Sequence, residues 1–301
     1  MVIHEVSEIH SHRHFGGNLP PALRVEQGEP FTLAARSILG EGRTSLPTCY
    51  EDLVIPVTGP VAIAGVRAGD TIRVDIIDIT IADVGAMVTF PGYGLFGDEI
   101  KFGGKIFSIT DGMINFAPGI QIPVLPMVGK LGIGVPDNPP ISSTVGHFGG
   151  NMDNKFLGIG SSIYLQSIVD EGLLYAGDLH ACQGDGEVSL TALEVAGKVT
   201  LKVQVVPPLP VSLPVVVSAD LTMTIGDGMD MESAVRNAAR AMATLLSQSN
   251  DWSFETTVMA LSLIGDVGVC QLVNPRVSGK VSVASKYVMD LNHWLSPCQK
   301  D

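Results

Sequence analysis

Ala68-Gly69-Asp70-Thr71-Ile72-Arg73-Val74-Asp75-Ile76-Ile77-Asp78-Ile79 opens on a turn-forming Gly-Asp and then alternates polar with apolar residues over most of its length. Successive side chains of a strand leave opposite faces, so this period of two marks a strand with one buried face. The pattern recurs outward from there. Glu187 to Val195 interleaves Val188, Leu190, Ala192 and Val195 with Ser189, Thr191 and Glu194, slipping once at Leu193. Lys198 to Val206 and Val215 to Thr224 are further strands, and Pro207-Pro208-Leu209-Pro210 forces an extended connection between them. With 34 glycines and 19 prolines punctuating short segments, the chain reads as mainly β. The Gly- and Pro-rich stretch from Pro91 to Pro140 is expected to mix hairpins with irregular cover.

Helical spacing appears only in the C-terminal third. From Met231 to Ser247, Ala234, Val235, Ala238, Met242, Leu245 and Leu246 recur at three- and four-residue intervals. Asp230 is placed to cap that helix, the Asp227/Asp230 pair is assigned to its start, and Glu232 suits its first turn. A second, shorter helix is expected from Ser253 to Leu263, ended by Gly265. Trp252 and Trp294 are read as packing residues.

The bulk properties narrow the function. The 301 residues, 46% hydrophobic, supply core enough for one large domain or two of ordinary size. A net charge of −13 and a pI near 4.8, with no run of Lys or Arg, argue against a nucleic-acid or anionic-membrane partner. Mean hydropathy is high at +0.33, yet no apolar stretch reaches the roughly 18 residues of a membrane span. The excess is expected to serve a buried sheet and a homo-oligomer interface, in a dimer or tetramer. Met1-Val2-Ile3-His4-Glu5 does not have the basic-then-apolar order of a secretory signal. Cys49, Cys182, Cys270 and Cys298 are scattered with no C-x-x-C pair, which suits reduced thiols in a cytoplasm.

Chemistry concentrates at Ala176-Gly177-Asp178-Leu179-His180-Ala181-Cys182-Gln183-Gly184-Asp185-Gly186-Glu187, where carboxylates, a histidine and glycines crowd together. A second polar cluster, His147-Phe148-Gly149-Gly150-Asn151-Met152-Asp153, lies just upstream. Asp153, Asp178 and His180 are the candidate ligands of a divalent metal, zinc or calcium, and in a straight strand Asp178 and His180 would share a face. Glu187 is the candidate general base and proton shuttle, with Asp178 and His180 beside it in catalysis. Asn151, Gln183 and His147 are candidate substrate contacts. Plainer readings stand beside these: Asp185 as a turn residue, His147 as a loop-fixing donor and Asn151 as a left-handed turn residue. Cys182 as a covalent nucleophile would need a partner lysine, and none lies between Lys155 and Lys198; a buried small hydrophobe fits better. Gly160-Ser161-Ser162 only faintly matches an amidase nucleophile loop. His10, His12 and His14 would share one face of an extended strand, as a metal site or a solvated face.

His14-Phe15-Gly16-Gly17-Asn18 repeats residues 147–151 identically, and each copy is followed by an Ala-Gly-Asp. Internal repetition of this kind suggests two intertwined β half-domains, about 1–140 and 141–301, with His14 and Asn18 lining the same pocket as the second copy.

Taken together, the 147–153 and 177–187 clusters, the late Ser262–Pro275 segment, Val57–Asp70 and Pro21–Glu29 resemble the acetamidase/formamidase family, in order and over nearly the whole chain. The resemblance implies a mainly β, jelly-roll-like sandwich with extra helices, homo-oligomers, and metal ions at the site. It implies hydrolysis of a short linear carboxamide to ammonia and a carboxylate, which chemistry would assign to a metal-activated water. Cys182 departs from the small residue often found there. Other readings of the same scaffold are a non-catalytic metal- or small-ligand-binding protein, or an amidohydrolase of a larger or cyclic amide. Space around Phe148, Met152 and Pro91–Gly97 would separate the last from the first.

Overall fold

The computed structural model describes residues 3–39 and 45–288; Trp294 and Cys298 lie outside them. The described chain is mainly β, as expected, a curled and largely antiparallel sheet with two helices in the C-terminal third. The opening segment forms its spine. Residues Thr71–Thr89 make one 19-residue strand that pairs along its length with Glu194–Val206, from Thr71↔Val206 to Ala86↔Glu194. Ser162–Gln166 pairs with its first half and Gly103–Thr110 with its second. Its apolar positions Ile72, Val74, Ile76 and Ile79 are buried, while Ile77, the break in the alternation, is exposed.

Strand Leu174–His180 lies between Met127–Ile133 and Val57–Ile63, and its last residues reach Glu194–Val206 through Leu179↔Val195 and His180↔Glu194. Every residue of all three strands Val57–Ile63, Met127–Ile133 and Leu174–His180 is buried. They therefore carry runs of apolar residues and glycine rather than alternation, and periodicity could not find them. In the core, Phe15 packs against both Phe148 and Tyr175.

Both helices form where the spacing places them. Helix α1 (Met231–Asn250) starts at Asp230, whose side chain accepts from Ser233 N, and helix α2 (Phe254–Ile264) starts at Ser253 and stops at Gly265. Asp227 has a different job from the expected cap: it pairs with the guanidinium of Arg276. Helix α1 covers strands Leu221–Gly228 and Val277–Ala284, where Thr224 Oγ1 donates to Ala238 O at 2.7 Å.

Three expected elements differ. Glu187–Leu193 is a loop, and its strand begins only at Glu194; Glu187 at φ +48° and Leu190 at φ +97° take turns that no strand allows. Val215–Thr224 is a hairpin of Val215–Ser218 and Leu221–Gly228, turning at Ala219 with φ +48°. His10 ends a 3-10 turn (Glu8–His10), so the three alternating histidines do not lie on one strand face. The identical pentapeptides also differ: Gly149 and Gly150 have φ +90°, whereas Gly16 and Gly17 have no positive φ. Pro91–Pro140 does hold hairpin strands, Gly103–Thr110, Met113–Ala117 and Ile120–Pro123. Among the described residues, no helix is long and apolar enough to cross a membrane.

Candidate active site

Where Leu174–His180 meets Met127–Ile133 and Glu194, ionisable side chains gather in the interior. Asp153, Asp178, His180, Glu187 and Glu194 are all buried. Ligand atoms of Asp153, His180 and Glu187 lie within 4.8 Å of one another, as do those of Asp178, His180 and Glu194. Three of these acids sit in left-handed backbone: Asp153 at φ +47°, Asp178 at +58° and Glu187 at +48°. Such residues cost of the order of 1–3 kcal/mol each and persist only where the surroundings hold them, which is typical of functional sites. At Asp178 the twist interrupts the ladder, which runs Val128↔Leu179 then Lys130↔Gly177. Asp178 and His180 are thereby brought to 3.7 Å although the strand between them is not straight.

The hydrogen bonds fix which nitrogen of His180 faces the acids. Gln183 Nε2 donates to Asp153 O at 2.7 Å and to Cys270 O at 3.4 Å, so its Oε1 is the atom at 2.8 Å from His180 Nδ1. A carbonyl oxygen only accepts, so Nδ1 carries the hydrogen and Nε2 is left toward Asp178 and Glu194, the latter at 3.3 Å. Lys130, 3% exposed, brings its ammonium to 3.4 Å from Asp178 Oδ2 and 3.0 Å from Ile55 O. Glu187 Oε1 and Glu194 Oε1 both accept from Ala192 N.

Charge in this interior is poorly balanced. Burial raises Asp153 to about 7, with Asp178 and Glu194 adding to the rise against His180 and Lys130. Burial, then Asp153, pushes Glu187 well above the usual carboxylate range, and burial raises Glu194 against the pull of His180. Burial would raise Asp178 too, but Lys130 and His180 outweigh it and hold it low. Burial alone would lower His180; Glu194 and Asp178 keep it well above its ordinary value instead.

These residues fit a divalent cation. Asp153 Oδ1, Asp178 Oδ1, Glu194 Oε2 and His180 Nε2 are buried without a hydrogen-bond partner, a costly state for polar atoms unless something else satisfies them. The two ligand groups share the single free nitrogen of His180, so they describe one centre of carboxylates and an imidazole. Room is kept by Gly129, where a Cβ would fall 2.7 Å from Asp153 Oδ1 and 3.1 Å from Asp178 Oδ2. Beside this centre is a cavity of about 40 Å³, with Lys130, Asn151, Asp153, Asp178, Glu187 and Glu194 on its polar side.

Of the residues marked in the sequence, Asp153, Asp178, His180 and Glu187 come together and Asn151 lines the cavity with its Oδ1 unpaired. Gln183 stands behind His180 and orients it. His147 is exposed, edge-on to Phe148, and His14 and Asn18 line a separate groove with His12 and Pro136. Asp185 ion-pairs with Lys280 at 2.6 Å and Lys155 at 3.1 Å, tying down the loop that carries Glu187. Burial raises the Cys182 thiol, Ser161 donates to Gly158 O, and Ser162 donates to Asp75, so none is set up as a nucleophile. Phe148 and Met152 are core residues, not pocket walls. Lys130 and Glu194 went unmarked. Lys130 had a signal, a charge inside the apolar run Met127–Ile133; Glu194 looked like the polar face of an alternating strand.

A model of the acetamidase/formamidase family matches residues 141–287. The chain is similar to a recombinant predicted acetamidase/formamidase from the thermophile Thermoanaerobacter tengcongensis, at 30% identity and TM-score 0.91, covering 97% of this chain and 99% of that one. It is similar also to an acetamidase from Bacillus halodurans, at 31% identity and TM-score 0.90, over 94% and 98% of the two chains. A formamidase from Methylophilus methylotrophus is 48% identical over 56 residues, 18% of this chain; the curated relatives it matches are each covered over 14% of their own length. On its full-length likeness to these solved structures, the chain belongs to the acetamidase/formamidase family.

Proposed function

We propose that this protein hydrolyses short linear carboxamides, formamide and acetamide, to ammonia and the carboxylate. The observation that carries the reading is the set of unpaired buried polar atoms of Asn151, Asp153, Asp178 and Glu194 around one small cavity, with the unpaired His180 Nε2 beside Asp178 and Glu194. Asp153, Asp178, His180 and Glu194 would hold a divalent cation, zinc or calcium, with Glu187 beside them; the ion, when bound, supplies Lewis acidity toward a carbonyl or a water. Asn151 Oδ1 is an acceptor matched to the two hydrogens of a primary amide nitrogen. Lys130 places a positive charge where the amide oxygen gains negative charge. Glu187, whose carboxyl burial and then Asp153 push well above the usual carboxylate range, is the candidate to take a proton from the attacking water and deliver it to the leaving nitrogen. A cavity of about 40 Å³ favours a small linear amide over a larger or cyclic one.

The reading extends to a homo-oligomer in the cytoplasm. Exposed Phe254, Met259, Leu263 and Val267 along α2 and the strand after it support the first, for which solution mass is the test. Free thiols at Cys49, Cys182 and Cys270 are compatible with the second. The activity is tested by ammonia release from formamide, acetamide and propionamide. The expected result is turnover of the first two and a loss of at least about 100-fold in Glu187→Gln; unchanged turnover in that variant would remove Glu187 from the chemistry.

A further inference from the structure

Leu190 has φ +97°, a backbone state in which glycine is at ease and a leucine is a strained exception. A leucine held there is held for its side chain. Its amide donates to Glu187 O at 3.0 Å, which couples its position to the loop that carries Glu187. Its side chain joins a buried apolar cluster with Ile38, Ile55, Val88 and Phe90, against which Leu53 packs. Leu190, Ile38 and Leu53 also line the cavity beside the carboxylates. The two linings divide the labour: the polar one suits an amide group, and the apolar one can only meet the carbon on the other side of the carbonyl. At about 40 Å³ the cavity is small, so each apolar side chain on its wall bears directly on how long an acyl chain it accepts.

We infer that Leu190, with Leu53 packed against the same apolar cluster, sets the upper limit on acyl length and makes the enzyme discriminate against propionamide and longer amides. This rests on the reading of the cavity as an amide site. The inference assigns specificity to the strained loop Glu187–Leu193, the same loop that presents the proton shuttle, so size selection and catalysis are built on one piece of backbone.

The test uses the cation-loaded protein and its Leu190→Ala and Leu53→Ala variants, each removing one side chain of the apolar lining. kcat/KM is measured for formamide, acetamide, propionamide and butyramide, and calorimetry gives Kd for the carboxylates formate, acetate, propionate and butyrate. Each variant is expected to raise the propionamide-to-formamide ratio by about 10- to 200-fold, the discrimination one methylene commonly earns in an apolar pocket, and to tighten propionate relative to formate. Ratios within about two-fold of the original protein in both variants, for amides and carboxylates alike, would overturn the inference. Should the original protein release no ammonia from any amide, the hydrolase reading fails by itself, while the carboxylate affinities still decide who limits the cavity.

Discussion

At position 129 a side chain of any kind would collide with the site: its Cβ would stand 2.7 Å from Asp153 Oδ1 and 2.8 Å from Asp178 O. Gly129→Ala is therefore expected to push both Asp153 and the Asp178 backbone out of place and to bind divalent cation at least about 10-fold more weakly, since displaced ligands lose affinity on that scale. Calorimetric titration of chelated protein with zinc or calcium checks this, and equal affinity in the variant would mean the two aspartates do not share an ion. The glycine was plain in the sequence and its reason was not. A residue needed for what it lacks leaves no signature beyond its own letter. The opposite holds for Asp178 and His180, whose spacing and company were legible. Their meeting with Glu194 depends on the register His180↔Glu194, which no local pattern encodes.

Among the elements, the long strand Thr71–Thr89 was readable because one face is buried and the other is not. On its outer side Asp75 takes hydrogen bonds from Arg73 Nε at 2.6 Å and Ser162 Oγ at 2.6 Å, and Lys202 approaches to 3.5 Å, so three neighbouring strands are tied at one carboxylate. Burial alone would raise Asp75, but Arg73, Ser162 and Lys202 together pull it below its ordinary value of 3.8. A carboxylate depressed by folding adds stability that is complete above its unfolded value and is lost as the pH falls through its folded value. Asp75→Asn should accordingly lower the denaturation midpoint at pH 7 and show a shallower decline on acidification to about pH 3. An acid limb as steep as that of the original protein would contradict the assignment. Loop Glu187–Leu193 was misread for a related reason. Its residues alternate as a strand's would, but contacts distant in sequence, Gly186 N to Cys270 O beside Glu187 and the Ile38 cluster around Leu190, accompany the positive φ of both residues. Alternation records which residues are apolar, and tertiary contacts decide whether the backbone stays extended.

On the scale of the whole molecule, a chain of net charge −13 keeps several of its acids away from water at one point. Burying carboxylates without compensation is expensive, and Lys130 and His180 are the only cationic partners the ion pairs bring to them among the described residues. A divalent cation would supply the missing charge, satisfy the unpaired oxygens and account for the strained backbone gathered here. The most direct measurement is therefore ammonia release from formamide against cation bound per chain, with the protein stripped by chelator and then titrated with zinc or calcium. The account predicts no turnover in the stripped protein and activity that rises linearly and saturates at about one ion per chain. Full turnover in protein shown to hold no ion would contradict it.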